Sequence, residues 1–127
     1  MSRKTIHDYF QQALADSHNT LTSPSRSLVS DKDGNCAAFE VKQDRGKVLD
    51  VRFKCTTCIT LVALCEHIAD LARGMNIGKA REIDSQMLLN LHPEVPAELS
   101  NRASLACRAF RAALRKVTAN YDQGEQT

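Results

Sequence analysis

The chain has 127 residues, the length of one typical domain and enough to bury a hydrophobic core. Its composition, 43% hydrophobic and 25% charged, excludes a disordered, collagen-like or disulfide-rich chain. Seventeen basic residues against fifteen acidic residues leave a formal charge of +2, which is too small to indicate a nucleic-acid or membrane partner.

The N-terminal ten residues contain no apolar segment of signal-peptide length. The longest uncharged apolar-rich run, residues 55–65, is far shorter than a membrane span. We therefore expect a cytoplasmic protein. In that reducing compartment the five cysteines should remain thiols that can bind metal or act as nucleophiles.

The first half of the chain predicts a helix, a loop and a β-hairpin. Apolar residues at the spacing of one helix face predict a helix over residues 5–16. Residues 18–35 are rich in turn-forming residues and predict a loop with one short strand at residues 26–30. Residues 36–43 and 47–55 alternate apolar and polar positions, which predicts two strands joined by a short Gly-containing turn.

The alternation also assigns the faces of the second strand. Leu49, Val51, Phe53 and Cys55 are expected on the inward face, opposite the charged residues between them.

The second half of the chain predicts helices. Residues 58–73 follow helical spacing, and Gly74 suits a left-handed cap at the helix C-terminus. Residues 79–91 predict one or two short helices, and residues 97–121 predict a long final helix.

The predicted fold class is therefore α+β, a small antiparallel sheet of about three strands with helices packed on one face. We expect one domain over residues 1–127, with a core over about residues 5–118 and a flexible tail over residues 119–127.

Cys55 and Cys58 form a C-x2-C pair where the second strand gives way to a helix. A thioredoxin-type redox pair occupies a similar junction, but it follows a βαβ unit and not an antiparallel hairpin. A zinc ribbon needs a second closely spaced pair, whereas Cys36 and Cys107 stand alone. A metal site would therefore have to combine cysteines from separate elements.

Cys36 begins a strand after the Gly-containing loop "DGN", Cys58 follows "VRFKCTT" at a strand-to-helix junction, and Cys107 lies in the final helix within "ASLACRAFRAAL". In this order and spacing the three cysteines resemble those of the IscU/NifU N-terminal scaffold family of iron-sulfur cluster assembly. The resemblance covers about residues 5–118, and it implies the α+β fold of that family.

The resemblance also implies a function. The three thiolates would bind a [2Fe-2S] cluster or a zinc ion, a cysteine desulfurase would supply sulfur, and apo iron-sulfur proteins would receive the cluster. By family position the sulfur acceptor would be Cys107. The protein would be a scaffold and not an enzyme, without catalytic residues, acting as a monomer or as a homodimer bridged by a cluster.

The chain departs from the family at both ligands that are not cysteines. The family has Cys-Gly-Asp and His-Cys where this chain has Ala38 and Ala106 in place of the aspartate and the histidine. The Leu-Pro-Pro-Val-Lys chaperone signal before the last cysteine is also missing. Cys55 is the best candidate for a fourth ligand, because C-x2-C spacing lets two sulfurs reach one metal. The sequence thus predicts an all-cysteine site that would hold its cargo more tightly than the usual one.

Other roles for these residues remain open. Cys65 is expected in the core at helical spacing, and Cys55 and Cys107 could also be core residues, since cysteine packs as a small apolar group. Glu66 and His67 are expected to be solvated helix residues.

Asp31 and Asp33 could replace the lost aspartate, but turn chemistry explains them more simply. Arg108, Arg111 and Arg115 form a basic stripe that is either a solvated face or a docking strip for an acidic partner, and the resemblance implies that the desulfurase is that partner. A competing hypothesis is a degenerate family member that acts as a zinc-bound or metal-free interaction module.

Overall fold

A computed structural model describes residues 4–15 and 28–125, with side chains described as far as residue 117. The strands are β1 (Val29–Ser30), β2 (Cys36–Asp44) and β3 (Lys47–Cys55). The helices are α1 (Ile6–Ala15), α2 (Ile59–Ala72), α3 (Ile77–Ala80), α4 (Ser85–Leu91) and α5 (Asn101–Glu125), with a 3-10 turn at Ala97–Leu99 before α5. The predicted α+β class is confirmed. Helix α5 continues beyond residue 118, where the predicted core ended.

The sheet is antiparallel with strand order β1-β2-β3. The hairpin between β2 and β3 turns at Arg45 and Gly46, whose φ angles are 54° and 81°. Two consecutive positive φ angles are typical of the two-residue hairpin turn that matches the twist of the strands. This turn confirms the predicted hairpin.

A β-bulge near the start of β3 changes which residues face the core. Lys42 pairs with Asp50 and Gln43 pairs with Val48, so Leu49 is an extra residue without a partner on β2. Because an extra residue reverses the alternation, Val48 is 1% exposed and Leu49 is 65% exposed. The prediction that Leu49 faces inward was wrong, while Val51 and Phe53 are buried as expected.

The bulge has a tertiary partner. The Val48 N–H donates to the Met75 carbonyl at 2.7 Å, and the Val48 carbonyl accepts from the Gly74 N–H at 2.8 Å. Gly74 has a φ of 87° and follows the C-terminus of α2, which confirms the predicted left-handed cap. The end of α2 therefore binds the backbone of β3 at the bulge.

Truncation of the two neighbouring side chains should test this register. We expect Val48→Ala to lower the free energy of unfolding by about 2 kcal/mol, because it removes buried methyl groups. Leu49→Ala should change it by less than about 0.5 kcal/mol, because that side chain is exposed. Urea denaturation of both variants would measure the difference, and a larger loss in Leu49→Ala would contradict the bulge.

Helices α2 and α5 cover the inward face of the sheet, while α1 packs against α2. Phe39 of β2 contacts Phe53 of β3 and Phe110 of α5, with ring centroids 5.8 and 5.4 Å apart. Leu61, Leu64 and Ile68 of α2 are fully buried beside them. No helix in the described part of the chain is long and apolar enough to cross a membrane.

Candidate functional site

The end of the sheet where β2 begins and β3 ends carries three of the predicted ligands, Cys36, Cys55 and Cys58. The Cys36 N–H donates to Thr56 Oγ1 at 2.8 Å, and the Thr56 N–H donates to the Cys36 carbonyl at 2.9 Å. The Thr56 hydroxyl also lies 3.5 Å from Cys36 Sγ. Cys36 is half-buried, and this tie to Thr56 fixes it beside the turn that leads to Cys58.

Cys58 is the N-cap residue of α2, and its thiol makes no capping hydrogen bond to the helix. The first turn is closed by the backbone, since the Val62 N–H donates to the Cys58 carbonyl at 2.8 Å. The Cys58 side chain is half-buried, like that of Cys36. Both sulfurs therefore remain available at one rim of the domain.

Arg102, in the first turn of α5, brings a positive charge to this rim. The neighbouring Cys58 thiol is the first cause of the raised pKa of Arg102, and the charges of Asp31 and Asp33 act in the same direction. Nη1 lies 3.5 Å from the Asp33 carboxylate and 3.9 Å from the Asp31 carboxylate, and it donates to Asn101 Oδ1 at 2.7 Å. The sequence analysis missed Arg102, because no local pattern predicts a contact between α5 and the start of α2.

Asp31 has a structural role in the turn before β2. Its Oδ1 accepts from the N–H groups of Asp33 and Asn35, both at 2.9 Å. Burial opposes ionisation, but these hydrogen bonds and the charge of Arg102 lower the pKa of Asp31 overall. Turn chemistry therefore explains Asp31, as the sequence suggested, and the carboxylate also faces Arg102.

Cys65 and Cys107 lie in the core, whereas Cys55 is half-buried at the end of β3. Cys107 is 3% exposed, and burial raises the pKa of its thiol to about 12. Cys65 is fully buried, which confirms its predicted core position, and burial also raises its pKa. A hydrogen bond from Cys65 lowers the pKa of Cys55 against the opposing effect of burial. All five cysteines are free thiols.

The cysteines thus form two groups, one that is half-buried at this end of the sheet (Cys36, Cys55 and Cys58) and one in the core (Cys65 and Cys107). Within the described residues, no three His, Cys, Asp or Glu side chains are close enough together to hold one metal ion. Ala38 and Ala106, at the two altered family positions, are 1% and 0% exposed. Soft thiolates suit iron-sulfur clusters and zinc, so the donor chemistry fits such a cargo.

A family model described as the NifU-like N terminal domain matches residues 29–123. The chain belongs to this family. The NifU-like domain is a module of scaffolds for iron-sulfur cluster assembly, so the recognised family and the coarse functional class are confirmed. The match begins at β1 and includes all five cysteines.

Among the solved structures that match this chain, one illustrates the shared fold. It is described as the crystal structure of a hypothetical protein at 2.3 Å resolution, and it superposes with a TM-score of 0.58 at 18% identity. The superposition covers 84% of this chain and 96% of that one. No curated protein matches the sequence significantly.

The NifU-like domain also has a buried polar cluster between α1, α2 and the segment after α4. His67 and Glu66 of α2 are 7% and 1% exposed, so the expectation that they are solvated was wrong. His67 Nδ1 lies 2.6 Å from Nε2 of the buried His92, and Tyr9 stacks on the His67 ring with centroids 4.2 Å apart. The packing of α1 against α2 buries these residues.

The hydrogen bonds of the cluster assign its tautomers. His92 Nδ1 lies 3.3 Å from a Glu94 carboxylate oxygen, which can only accept, so His92 carries its proton on Nδ1. His92 Nε2 then accepts from His67 Nδ1–H. The same Glu94 oxygen accepts from the Ile6 N–H at 2.9 Å, and Gln12 donates to Glu66 at 2.8 Å. Helix α1 is thereby bound to the domain through polar groups.

Proposed function

We propose that this chain is an iron-sulfur cluster scaffold or carrier that binds a [2Fe-2S] cluster, or a zinc ion, through Cys36, Cys58 and Cys107. Cys55 is the proposed fourth ligand. The observation that carries the proposal is the NifU-like match over residues 29–123, which spans all of these cysteines. The protein would act in the reducing cytoplasm and would carry a cargo instead of turning over a substrate.

Loading would need a local rearrangement of side chains. Cys36 and Cys58 are half-buried at the rim, whereas Cys107 is buried and protonated at neutral pH, given its pKa of about 12. A cluster would therefore reach the two half-buried rim cysteines before the buried Cys107. Cys55 would have to exchange its hydrogen bond with Cys65 for the metal.

The alanines at positions 38 and 106 bear on what the scaffold does with its cargo. Both side chains are buried methyl groups. Neither position therefore offers a carboxylate or an imidazole that would weaken cluster binding. An all-cysteine site holds iron and zinc through soft ligands only. This arrangement favours storage or slow delivery over rapid transfer.

Sulfur would come from a cysteine desulfurase, and the basic stripe of α5 is its proposed docking surface. Arg108 and Arg115 are exposed, while Arg111 Nη2 donates to the Ile83 carbonyl at 3.0 Å. The three arginines and Val29 line a cavity of about 390 Å³ between β1 and α5. A surface of this charge fits an acidic partner. Apo iron-sulfur proteins would be the recipients.

A second candidate function is an interaction module that binds zinc or no metal. It is favoured by the alanines at positions 38 and 106, where the resemblance would place an aspartate and a histidine. A thiol oxidoreductase that uses Cys55 and Cys58 is a weaker alternative, because the strand before this pair belongs to an antiparallel hairpin and not to a βαβ unit.

Anaerobic purification followed by analysis for iron, sulfide and zinc would test the proposal. The analysis is repeated after incubation with a desulfurase, cysteine and ferrous iron. Equal amounts of iron and sulfide, with charge-transfer absorption in the visible spectrum, are the expected result. One tightly bound zinc per chain without sulfide would support the interaction module, and no bound metal under either condition would overturn the scaffold proposal.

A further inference from the structure

Three arginines of α5, Arg108, Arg111 and Arg115, concentrate positive charge beside the edge of the sheet. They stand at positions i, i+3 and i+7, which lie on one face of a helix. Among the residues whose side chains the structure describes, no carboxylate lies within ion-pair distance of them. In contrast, Arg73 and Arg102 lie 3.6 and 3.5 Å from carboxylates. The charge of this helix face is therefore not neutralised by its described neighbours.

The three arginines surround one cavity and not a flat surface. Together with Val29 of β1 they line about 390 Å³ between β1 and α5, a volume within the range of about 300–1,000 Å³ that is typical of small-molecule sites. Arg111 is half-buried, and its Nη2 donates to the Ile83 carbonyl at 3.0 Å. This bond fixes the guanidinium in place and leaves its other N–H donors for a ligand. We call this volume the three-arginine cavity.

Arg108 also lines a second cavity, of about 310 Å³, nearer to the start of α5. The other lining residues supply hydroxyl, amide, ammonium and carboxylate groups and are Ser30, Asp31, Lys32, Asn101 and Ser104. The carboxylate of Asp31 already has partners, since Oδ1 accepts two backbone N–H groups and Oδ2 faces Arg102 at 3.9 Å. The second cavity therefore presents mainly neutral hydrogen-bonding groups beside a strongly cationic one.

We propose that the two cavities form a binding site for a small molecule with a diphosphate or triphosphate group, of the class of the nucleoside diphosphates. The phosphoryl groups lie in the three-arginine cavity, because a guanidinium fork donates two parallel N–H bonds to phosphate oxygens. The organic part of the ligand lies in the second cavity. An extended acidic peptide fits less well, because it spreads its carboxylates at about 3.3 Å per residue along a strand, whereas these arginines share one compact volume.

This site goes beyond the proposed scaffold function. The ligand would occupy the same face of α5 that is proposed to bind the desulfurase, so the two would compete. That competition rests on the proposed function, whereas the binding of the phosphorylated ligand does not.

Calorimetric titration of the full chain with pyrophosphate and with ADP, at low ionic strength, tests the site. We expect saturable binding of one ligand per chain. Arg108→Gln and Arg115→Gln should each weaken the binding of both ligands roughly tenfold, because each variant loses a hydrogen bond to a charged group. Both arginines are exposed, so circular dichroism and urea denaturation should show an intact fold.

Arg45→Gln is the matched control for these variants. It removes the same charge from an exposed arginine in the hairpin turn, at the opposite end of β2 from the residues that pair with β1. Its affinity for pyrophosphate should stay within about twofold of the wild type, because an exposed charge so far away is screened. Absence of saturable binding to pyrophosphate, or an equal loss in Arg45→Gln, would overturn the site. Tighter binding of hexaglutamate than of ADP would overturn it in favour of an acidic peptide.

Ser104→Leu tests the place of the organic part. Ser104 is exposed on α5 and lines only the second of the two cavities, which the larger leucine side chain would fill. We expect a loss of ADP affinity of roughly tenfold and no change for pyrophosphate, because a steric clash rejects only the ligand that reaches this cavity. Equal effects on both ligands would overturn the two-cavity assignment.

These titrations need no iron, sulfide or desulfurase. A chain that loads a cluster but does not bind pyrophosphate would retain the scaffold function and reject this site. A chain that binds pyrophosphate through Arg108 and Arg115 but loads no cluster would retain the site and reject the scaffold.

Discussion

Replacement of Cys36 or Cys58 by serine is expected to lower the amount of iron-sulfur cluster retained after reconstitution by roughly tenfold or more. Serine has nearly the same shape as cysteine, but its hard oxygen is a poor ligand for the iron of a cluster. Both cysteines are half-buried at the rim, so the change should leave the core intact. Visible absorption, together with iron and sulfide per chain, measures the effect, and circular dichroism checks the fold.

Cys65→Ala is the matched control for these variants. Cys65 is fully buried and is not a proposed ligand, so its loss should leave cluster loading near the wild-type level. Cys55→Ser separates a four-cysteine site from a three-cysteine site, because only the former loses cargo in this variant. Full loading in Cys58→Ser, or equal losses in Cys58→Ser and Cys65→Ala, would contradict the proposed ligand set.

The domain is expected to lose about 2 kcal/mol of unfolding free energy between about pH 7 and about pH 5 through His67. Burial first, and the charge of His92 second, lower the pKa of His67 to about 4 from its ordinary value of 6.5. As the pH falls below 6.5, the unfolded chain binds a proton at His67, whereas the folded chain binds it only near pH 4. The stabilisation is therefore complete above pH 6.5 and is lost as the pH falls toward 4.

The groups that face His67 explain why its charged form is disfavoured. The Tyr9 ring stacks on it and His92 lies 2.6 Å away, while the nearby charges of Asp70 and Lys4 act in opposite directions. Glu94 is occupied by His92 and by the Ile6 N–H. A proton on His67 would therefore be buried between the Tyr9 ring and His92, where the charged form is poorly solvated.

Urea denaturation at several pH values measures this effect. His67→Asn should show a smaller loss of stability on acidification than the wild type, and His7→Asn, at an exposed histidine of α1, should retain the wild-type loss. Hydrogen exchange should show earlier opening of α1 at low pH, because α1 packs directly on this cluster. An equal pH dependence in wild type and His67→Asn would contradict the assignment.

Much of the fold could be predicted because its signals are local. Alternation identified β2 and β3, helical spacing identified α2 and α5, and the turn at Arg45 and Gly46 fixed the hairpin between neighbouring strands. The bulge at Leu49 was missed, because the backbone bonds that accompany it come from Gly74 and Met75 in another element. A local pattern of apolar and polar residues cannot contain that information.

The candidate site divides in the same way. The sequence alone predicted the family, because the cysteines, their order and their spacing are properties of the sequence. The surroundings of the cysteines could not be predicted from the sequence. Distant segments are joined by the ion pairs of Arg102 with Asp31 and Asp33 and by the stacking of Tyr9 on His67.

The sequence by itself determined the elements, the family and the set of available thiols, because each depends on residue types at short spacing. Only the tertiary structure decided which thiols are at the rim and which are in the core, because burial depends on how α2 and α5 pack against the sheet. Packing also decides the local charge, since α5 brings Arg102 beside Asp31 and Asp33 in the turn before β2. Cys58 and Cys107 are the same residue type, but their environments differ in exposure and charge.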